Sequence, residues 1–257
     1  MTAAATTTGR FDIGRVMSRT FGVIGRNLVV FGVLSVALAG VPQGIARYFS
    51  QSSVLGTGGL NAALISVLAG LLSFIGANIL QAAVIQGSIS DLNGKRANLD
   101  DCIATGLKFM LPVIGISILT AFALAAGFIL LIVPGLMMAV AWCVNVPVVV
   151  VERKGVFEAF GRSADLTRGH RWAIFGLMVI YGLVVWIVDA VAMASTAGFS
   201  LAGMARAASF NGTEWVVLTV LQIIQSLIAA AGVASIYYEL RSTKDGIGPE
   251  SLAAVFD

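Results

Sequence analysis

Charge is what this 257-residue chain has least of. Sixteen basic and thirteen acidic residues make up 11% of it, against about 25% in a soluble domain. So few charges cannot clothe a large core against water, which excludes a soluble globular protein. Lipid must solvate most of the surface. Histidine is nearly missing: His170 stands alone, so a multi-histidine metal site is excluded and acid–base chemistry has no second imidazole. The two cysteines, Cys102 and Cys143, are too few for a disulfide framework. One lies in an amphipathic segment and the other in an apolar run. No GxxxxGK[ST] phosphate loop occurs. These absences point away from an enzyme, and no metal or other cofactor is expected.

What is present is long apolar sequence. From Phe109 to Val151 there are 43 residues without a charge, interrupted only by Pro134-Gly135. As one helix the run would measure roughly 64 Å, about twice the ~30 Å hydrocarbon core of a bilayer. Two spans joined by a tight turn at Val133-Pro134-Gly135 are predicted. Four further runs have the length of a span, giving six: about Asn27–Ala46, Leu60–Ile85, Met110–Ile132, Gly135–Val151, Trp172–Met193 and Trp215–Tyr237. The fold class is therefore all-α, a polytopic membrane protein.

The basic residues set its orientation. With the N-terminus inside, fourteen lysines and arginines fall on the cytoplasmic side and two, Arg47 and Arg206, on the outer side. Six spans with both termini cytoplasmic satisfy the positive-inside rule, and one span more or fewer would scramble the asymmetry. The same rule accounts for a pI near 9.1 without nucleic acid. The polar segment before Asn27 is long for a signal peptide and the apolar run continues past Ala37-Leu38-Ala39, so a retained first span is expected.

Three amphipathic segments precede span pairs. Ile13, Val16, Met17, Thr20, Phe21 and Ile24 share one helical face, opposite Asp12, Arg15, Arg19 and Arg26. Leu99, Ile103 and Leu107 oppose Asp100, Asp101 and Lys108. Val156, Phe157, Phe160 and Ala164 oppose Glu158, Arg162 and Asp165. Helices of this kind lie at the membrane interface, apolar face towards the acyl chains. The order of surface helix, span out and span back suggests three units, residues 11–93, 97–152 and 155–240, within one membrane domain at 27–240. A cytoplasmic N-terminal segment (1–26) and tail (241–257) flank it. Small-xxx-small pairs in the second span (Ser66/Gly70, Ser73/Ala77, Ala83/Gly87) predict close helix approach.

Two sets of residues are candidates for function. The stretch Glu152–Trp172 carries Arg153, Lys154, Arg162, Arg168, His170 and Arg171, basic groups at head-group level suited to lipid phosphate. The spans carry Asn78, Gln81, Asn145, Gln222 and Gln225, whose amides need partners in hydrocarbon, and the acid Asp189. These either bond helices together or line a polar cavity.

A resemblance runs through the same stretch. Pro134-Gly135-Leu136, Ala141-Trp142, Pro147-Val148-Val149-Val150-Val151-Glu152, Gly155, Ala159, Arg162-Ser163 and Leu166-Thr167-Arg168-Gly169-His170-Arg171-Trp172 resemble the membrane domain found with some bacterial glycerophosphoryl diester phosphodiesterases. That domain also occurs alone, and the resemblance to the stand-alone form implies a membrane module of unknown role in a bacterial inner membrane. In fused members the resemblance implies a separate soluble domain that hydrolyses the phosphodiester, with histidines and acids around a divalent metal. One histidine and a short tail leave no room for it here. The expectation is a non-catalytic anchoring or organising module whose partners are membrane lipids and an unidentified protein. The alternative is a transporter or lipid-handling protein with a polar intramembrane cavity.

Overall fold

A computed structural model of the chain describes residues 11–54, 59–197 and 212–245. Every regular element among them is helical: α1 (Ile13–Arg26), α2 (Leu28–Ser35), a π-helical turn (Val36–Gly40), α3 (Val41–Val54), α4 (Gly59–Leu92), α5 (Leu99–Lys108), α6 (Met110–Leu130), α7 (Ile132–Ala141), α8 (Asn145–Val151), α9 (Val156–Thr167), α10 (Arg171–Ala197) and α11 (Gly212–Lys244). Six stretches are long and apolar enough to cross a membrane: Leu28–Arg47, Ala63–Leu92, Met110–Leu130, Ile132–Val151, Arg171–Ala192 and Val216–Lys244. The chain is an all-α polytopic membrane protein. Trp215 begins the expected sixth span, but its side chain lies outside the description, as do Arg10, Arg206 and the Asn211 of the pattern Asn211-Gly212-Thr213.

The short helices form where caps and charges favour them. Asp12 caps α1, its Oδ1 accepting from the Gly14 amide at 2.8 Å and the Arg15 amide at 3.2 Å. Asn98 caps α5, with Asp100 and Asp101 in the first turn and Lys108 in the last, matching the helix dipole. Gly169, at φ +92°, turns the chain from α9 into α10 through a backbone region that glycine enters freely.

The third and fourth spans join earlier than predicted. Leu131 is extended and α7 begins at Ile132, so Pro134 falls in the first turn of a helix, where its missing N–H costs nothing. Gly127 and Gly135 let the two arms of this hairpin meet: a Cβ on Gly127 would lie 3.1 Å from the Gly135 Cα.

The fourth span is broken. Helix α7 stops at Ala141, Trp142–Val144 form a turn, and α8 resumes at Asn145. Pro147, in the first turn of α8, has no N–H to continue the ladder back to Cys143. Backbone freed inside a membrane protein must find other partners. Helix α9 supplies them: Ser163 Oγ donates to the Ala141 carbonyl at 2.8 Å and Thr167 Oγ1 to the same oxygen at 3.3 Å. The side of α9 that packs on the bundle is not the apolar face read from the sequence. Its buried side is Ala159, Ser163, Leu166 and Thr167, while Phe157 is 81% exposed. Two hydroxyls look inward because they mend the break. Phe160 meets Trp142 edge-on, ring centroids 4.9 Å apart.

The core lies in one half of the molecule. Val84, Ile85, Val113, Ile116, Val144, Val148, Leu166, Ile174, Tyr237 and Leu240 are all fully enclosed, around the ends of α4 and α11 and the helices α1, α5, α8 and α9. In the other half Leu64, Leu68, Phe122, Ile129, Trp186 and Val217 stand exposed. The spans are packed tightly where α1, α5 and α9 form an end layer and present apolar surface elsewhere. Helix α11 runs on to Lys244, so residues 241–244 continue a span rather than start a tail.

Cys102 is sealed into this layer. Burial pushes its thiol up to about 11, the Asp101 carboxylate adds to the rise, and a hydrogen bond with the Gly87 backbone works weakly against it. At pH 8 only about one molecule in 10³ then carries the reactive thiolate. Maleimide at pH 8 is expected to leave Cys102 unmodified in the folded protein and to label it once SDS and heat unfold the chain. Peptide mapping reads the outcome, and rapid labelling of folded protein would contradict the enclosure.

Candidate functional site: an end layer of arginine–carboxylate pairs and an apolar groove

Each returning span ends in an acid, and each acid is held by arginine from the end layer. Asp91 closes α4. Arg26 Nε donates to its Oδ2 at 3.0 Å and Asn27 Nδ2 to its Oδ1 at 2.8 Å. Asn27 in turn accepts from the Ala97 amide at 3.1 Å, which ties the first two span pairs together. Glu152 closes α8. Arg162 Nε donates to it at 3.1 Å and Tyr237 Oη at 3.1 Å, and Lys154 Nζ stands 3.9 Å away. Arg162 also reaches Asp245 at 2.6 Å. Glu239, near the end of α11, is the most enclosed: its side chain is 2% exposed. Arg15 Nη2 donates to its Oε1 at 2.6 Å, Arg19 donates to its Oε2, and the Arg19 guanidinium lies over the Tyr238 ring. The hydrogen bond to Glu239 raises the Arg15 pKa above its ordinary value, outweighing burial. Burial alone would lower that of Arg162, but its bonds to Glu152 and Asp245 more than reverse this.

This pairing sorts the basic candidates. Arg162 and Lys154 are drawn to Glu152. Arg153 and Arg168 are exposed and make no salt bridge among the described residues. Arg171 is half-buried and its Nε is enclosed without a hydrogen-bond partner. His170 lies beside Phe11, ring centroids 5.9 Å apart. Arg168, His170 and Arg171 thus gather between α9 and α10, next to the start of α1.

The intramembrane polar candidates pair off locally. Asn78 Oδ1 accepts from Ser117 Oγ at 2.7 Å, joining α4 to α6. Asn145 Nδ2 donates to Thr120 Oγ1 at 2.8 Å, joining α8 to α6. Gln225 Nε2 donates to Asp189 Oδ1 at 2.8 Å, joining α11 to α10, and its carbonyl accepts from Tyr181 Oη at 2.9 Å. Gln81 is half-buried and Gln222 exposed. Asn78, Gln81, Asn145 and Gln222 do not line the groove between α10 and α11.

A cavity of about 490 Å³ lies elsewhere. It is a groove between α10 and α11, reaching from Leu177 to Val188 on one wall and from Leu221 to Ile236 on the other, with Val16, Met17, Thr20 and Phe21 of α1 at one end. Three polar side chains on its wall are already engaged: Thr20 Oγ1 donates to the Val16 carbonyl at 2.8 Å, Tyr181 bonds the Gln225 backbone and Gln225 bonds Asp189. The groove therefore offers its occupant apolar surface.

The chain is similar to a UPF0259 membrane protein. That relative, from Pectobacterium carotovorum subsp. carotovorum, is 26% identical over 101 residues, which are 39% of this chain and 38% of the relative. The match thus spans well under half of either protein. No family model matches, and no solved structure does. The resemblance to phosphodiesterase-associated membrane domains accordingly rests on the residues quoted above.

Sequence reasoning missed the acids. Asp91 and Glu239 lie past the expected ends of the second and sixth spans, Ile85 and Tyr237, and carry no role in that reading. The available signal was positional: an acid recurs where each returning span meets a segment rich in arginine, at Asp91, Glu152 and Glu239.

Proposed function

We propose that the protein is a non-catalytic module of a bacterial inner membrane, both termini cytoplasmic, that grips anionic lipid head groups and so anchors or organises its surroundings. The observation that carries this reading is the set Arg168, His170 and Arg171. Arg26 and Arg162 are spent on carboxylates, whereas among the described residues Arg168 and Arg171 face none and Arg171 keeps an enclosed N–H without an acceptor. A lipid phosphate at head-group level is the acceptor such a site would take. The acids offer little alternative chemistry, since Asp91, Glu152 and Glu239 are each neutralised by arginine. The fourteen-to-two distribution of basic residues supports the orientation. Three units of surface helix and two spans fit the same plan. A polar transport route has less in its favour, because Asn78 and Asn145 bond to neighbouring hydroxyls.

The test is lipid retention. After exhaustive washing in mild detergent, wild-type protein is expected to keep phosphatidylglycerol over phosphatidylcholine. The Arg168→Gln/Arg171→Gln variant should lose about fivefold in that preference for each cation removed, from about 1 kcal/mol apiece. Equal retention of both lipids by wild type would sink the reading.

A further inference from the structure

We propose that the groove between α10 and α11 seats one acyl chain of an anionic phospholipid, with the phosphate at its mouth among Arg168, His170 and Arg171. The head-group end rests on the reading above; the chain end stands on the groove itself.

Length is the first reason. The α10 wall from Leu177 to Val188 rises about 16 Å and the α11 wall from Leu221 to Ile236 about 22 Å. One leaflet of hydrocarbon is about 15 Å deep, half of a ~30 Å core. The groove therefore has the height of a single extended chain. Its free space, about 490 Å³, accommodates one chain of methylenes.

Wall chemistry agrees. Thr20 and Tyr181 have given their hydroxyl protons to backbone carbonyls and Gln225 donates to Asp189, so a polar solute would surrender its hydration for few partners in return. An acyl chain surrenders nothing. No charged residue lines the groove itself, and the basic group lies beyond its end. Leu177 stands six residues, about 9 Å, along α10 from Arg171, the offset expected between a phosphate and the first buried methylenes. Phe11, beside His170, leads into α1, whose Met17 and Phe21 flank the same end of the groove.

Gly232 makes the idea testable without breaking the fold. It lines the groove, and a Cβ there would have nothing within 4 Å. Gly232→Leu should therefore enter empty space and favour the helix, while filling the seat of the chain. The full-length protein is placed in nanodiscs of phosphatidylcholine and phosphatidylglycerol. Trace phosphatidylglycerol, or in a parallel sample phosphatidylcholine, carries a photoactivatable acyl chain. After illumination, adducts are mapped by mass spectrometry.

Adducts are expected to concentrate on residues 177–188 and 221–236, and to fall about tenfold in Gly232→Leu, the effect of denying two methylenes their contacts. Unchanged labelling in Gly232→Leu overturns the proposal. So does even labelling of other exposed apolar residues such as Val29 and Phe122, or peptide-to-peptide cross-links marking a protein occupant. Arg168→Gln/Arg171→Gln should reduce groove adducts from the phosphatidylglycerol probe and spare those from phosphatidylcholine. If it reduces neither while Gly232→Leu still abolishes labelling, the head-group reading falls and the groove accepts a chain from any lipid.

Discussion

Replacing Arg15 and Arg19 together by glutamine is expected to destabilise the protein by about 3–5 kcal/mol, and a third change, Glu239→Gln, is expected to restore most of that. Burial is asymmetric in this cluster. Arg15 and Arg19 keep 42% and 28% of their side chains exposed, whereas Glu239 keeps 2%. Freed arginines can turn to water or to lipid phosphate, but the carboxylate cannot. Removing both arginines leaves a charge enclosed among Tyr237, Leu240 and Val16, all nearly inaccessible. Breaking a buried pair from one side costs about 3–5 kcal/mol, a large part of the 5–15 kcal/mol that holds a typical domain together. Either single substitution leaves the acid one guanidinium, so the single effects should sum to much less than the double, as expected for residues acting on one shared partner. Thermal unfolding in detergent of the two singles, the double and the triple variant measures this. A double variant melting with wild type, or a triple variant no better than the double, would show that Glu239 does not depend on its arginines.

The six spans were legible because lipid imposes a crude rule. An uncharged stretch of the right length is enough, and every expected span lies within a few residues of a helical one. The end layer was harder to read. Helical periodicity separates apolar from charged faces, and for α9 it put Phe157 on the apolar face towards the acyl chains, but it does not show which side chains meet the bundle. Whether a hydroxyl is worth burying depends on a carbonyl released elsewhere, at Ala141, and no local pattern reports that. Pro147 hinted at the break, but a proline in the first turn of a new helix and a proline kinking a continuous one look alike in sequence. The amides were legible as interhelical links for Asn78, Asn145 and Gln225. Their partners Ser117, Thr120 and Asp189 depend on how spans are rotated, which hydropathy leaves open. The apolar groove left no trace either, since a residue facing it and one facing bulk lipid are chemically the same.

Small residues show the same gap between pattern and packing, and a second large effect follows from it. Of the glycines in the second span's paired motifs, Gly87 does pack closely, a Cβ there meeting the Phe31 ring at 2.7 Å, yet a Cβ at Gly70 meets nothing within 4 Å. The close approach is six residues on. At Gly76 an added Cβ would overlap the carbonyl oxygen of Leu38 and lie 3.1 Å from its carbonyl carbon. Leu38 belongs to the π-helical turn of the first span, so the obstacle is backbone, which has no rotamer to change. Gly76→Ala must push the first two spans apart, and a parting of roughly 1 Å forfeits a quarter to a half of each dispersion contact along the seam. Overpacking of this kind costs about 1–3 kcal/mol. Against it stands the gain of about 0.5–1 kcal/mol that alanine brings to a helix interior. Gly70→Ala collects that gain with no clash. The two alanine variants are therefore expected to move in opposite directions, Gly76→Ala melting well below wild type and Gly70→Ala at or above it. Equal midpoints in a detergent melt would mean that the two spans do not meet at Gly76.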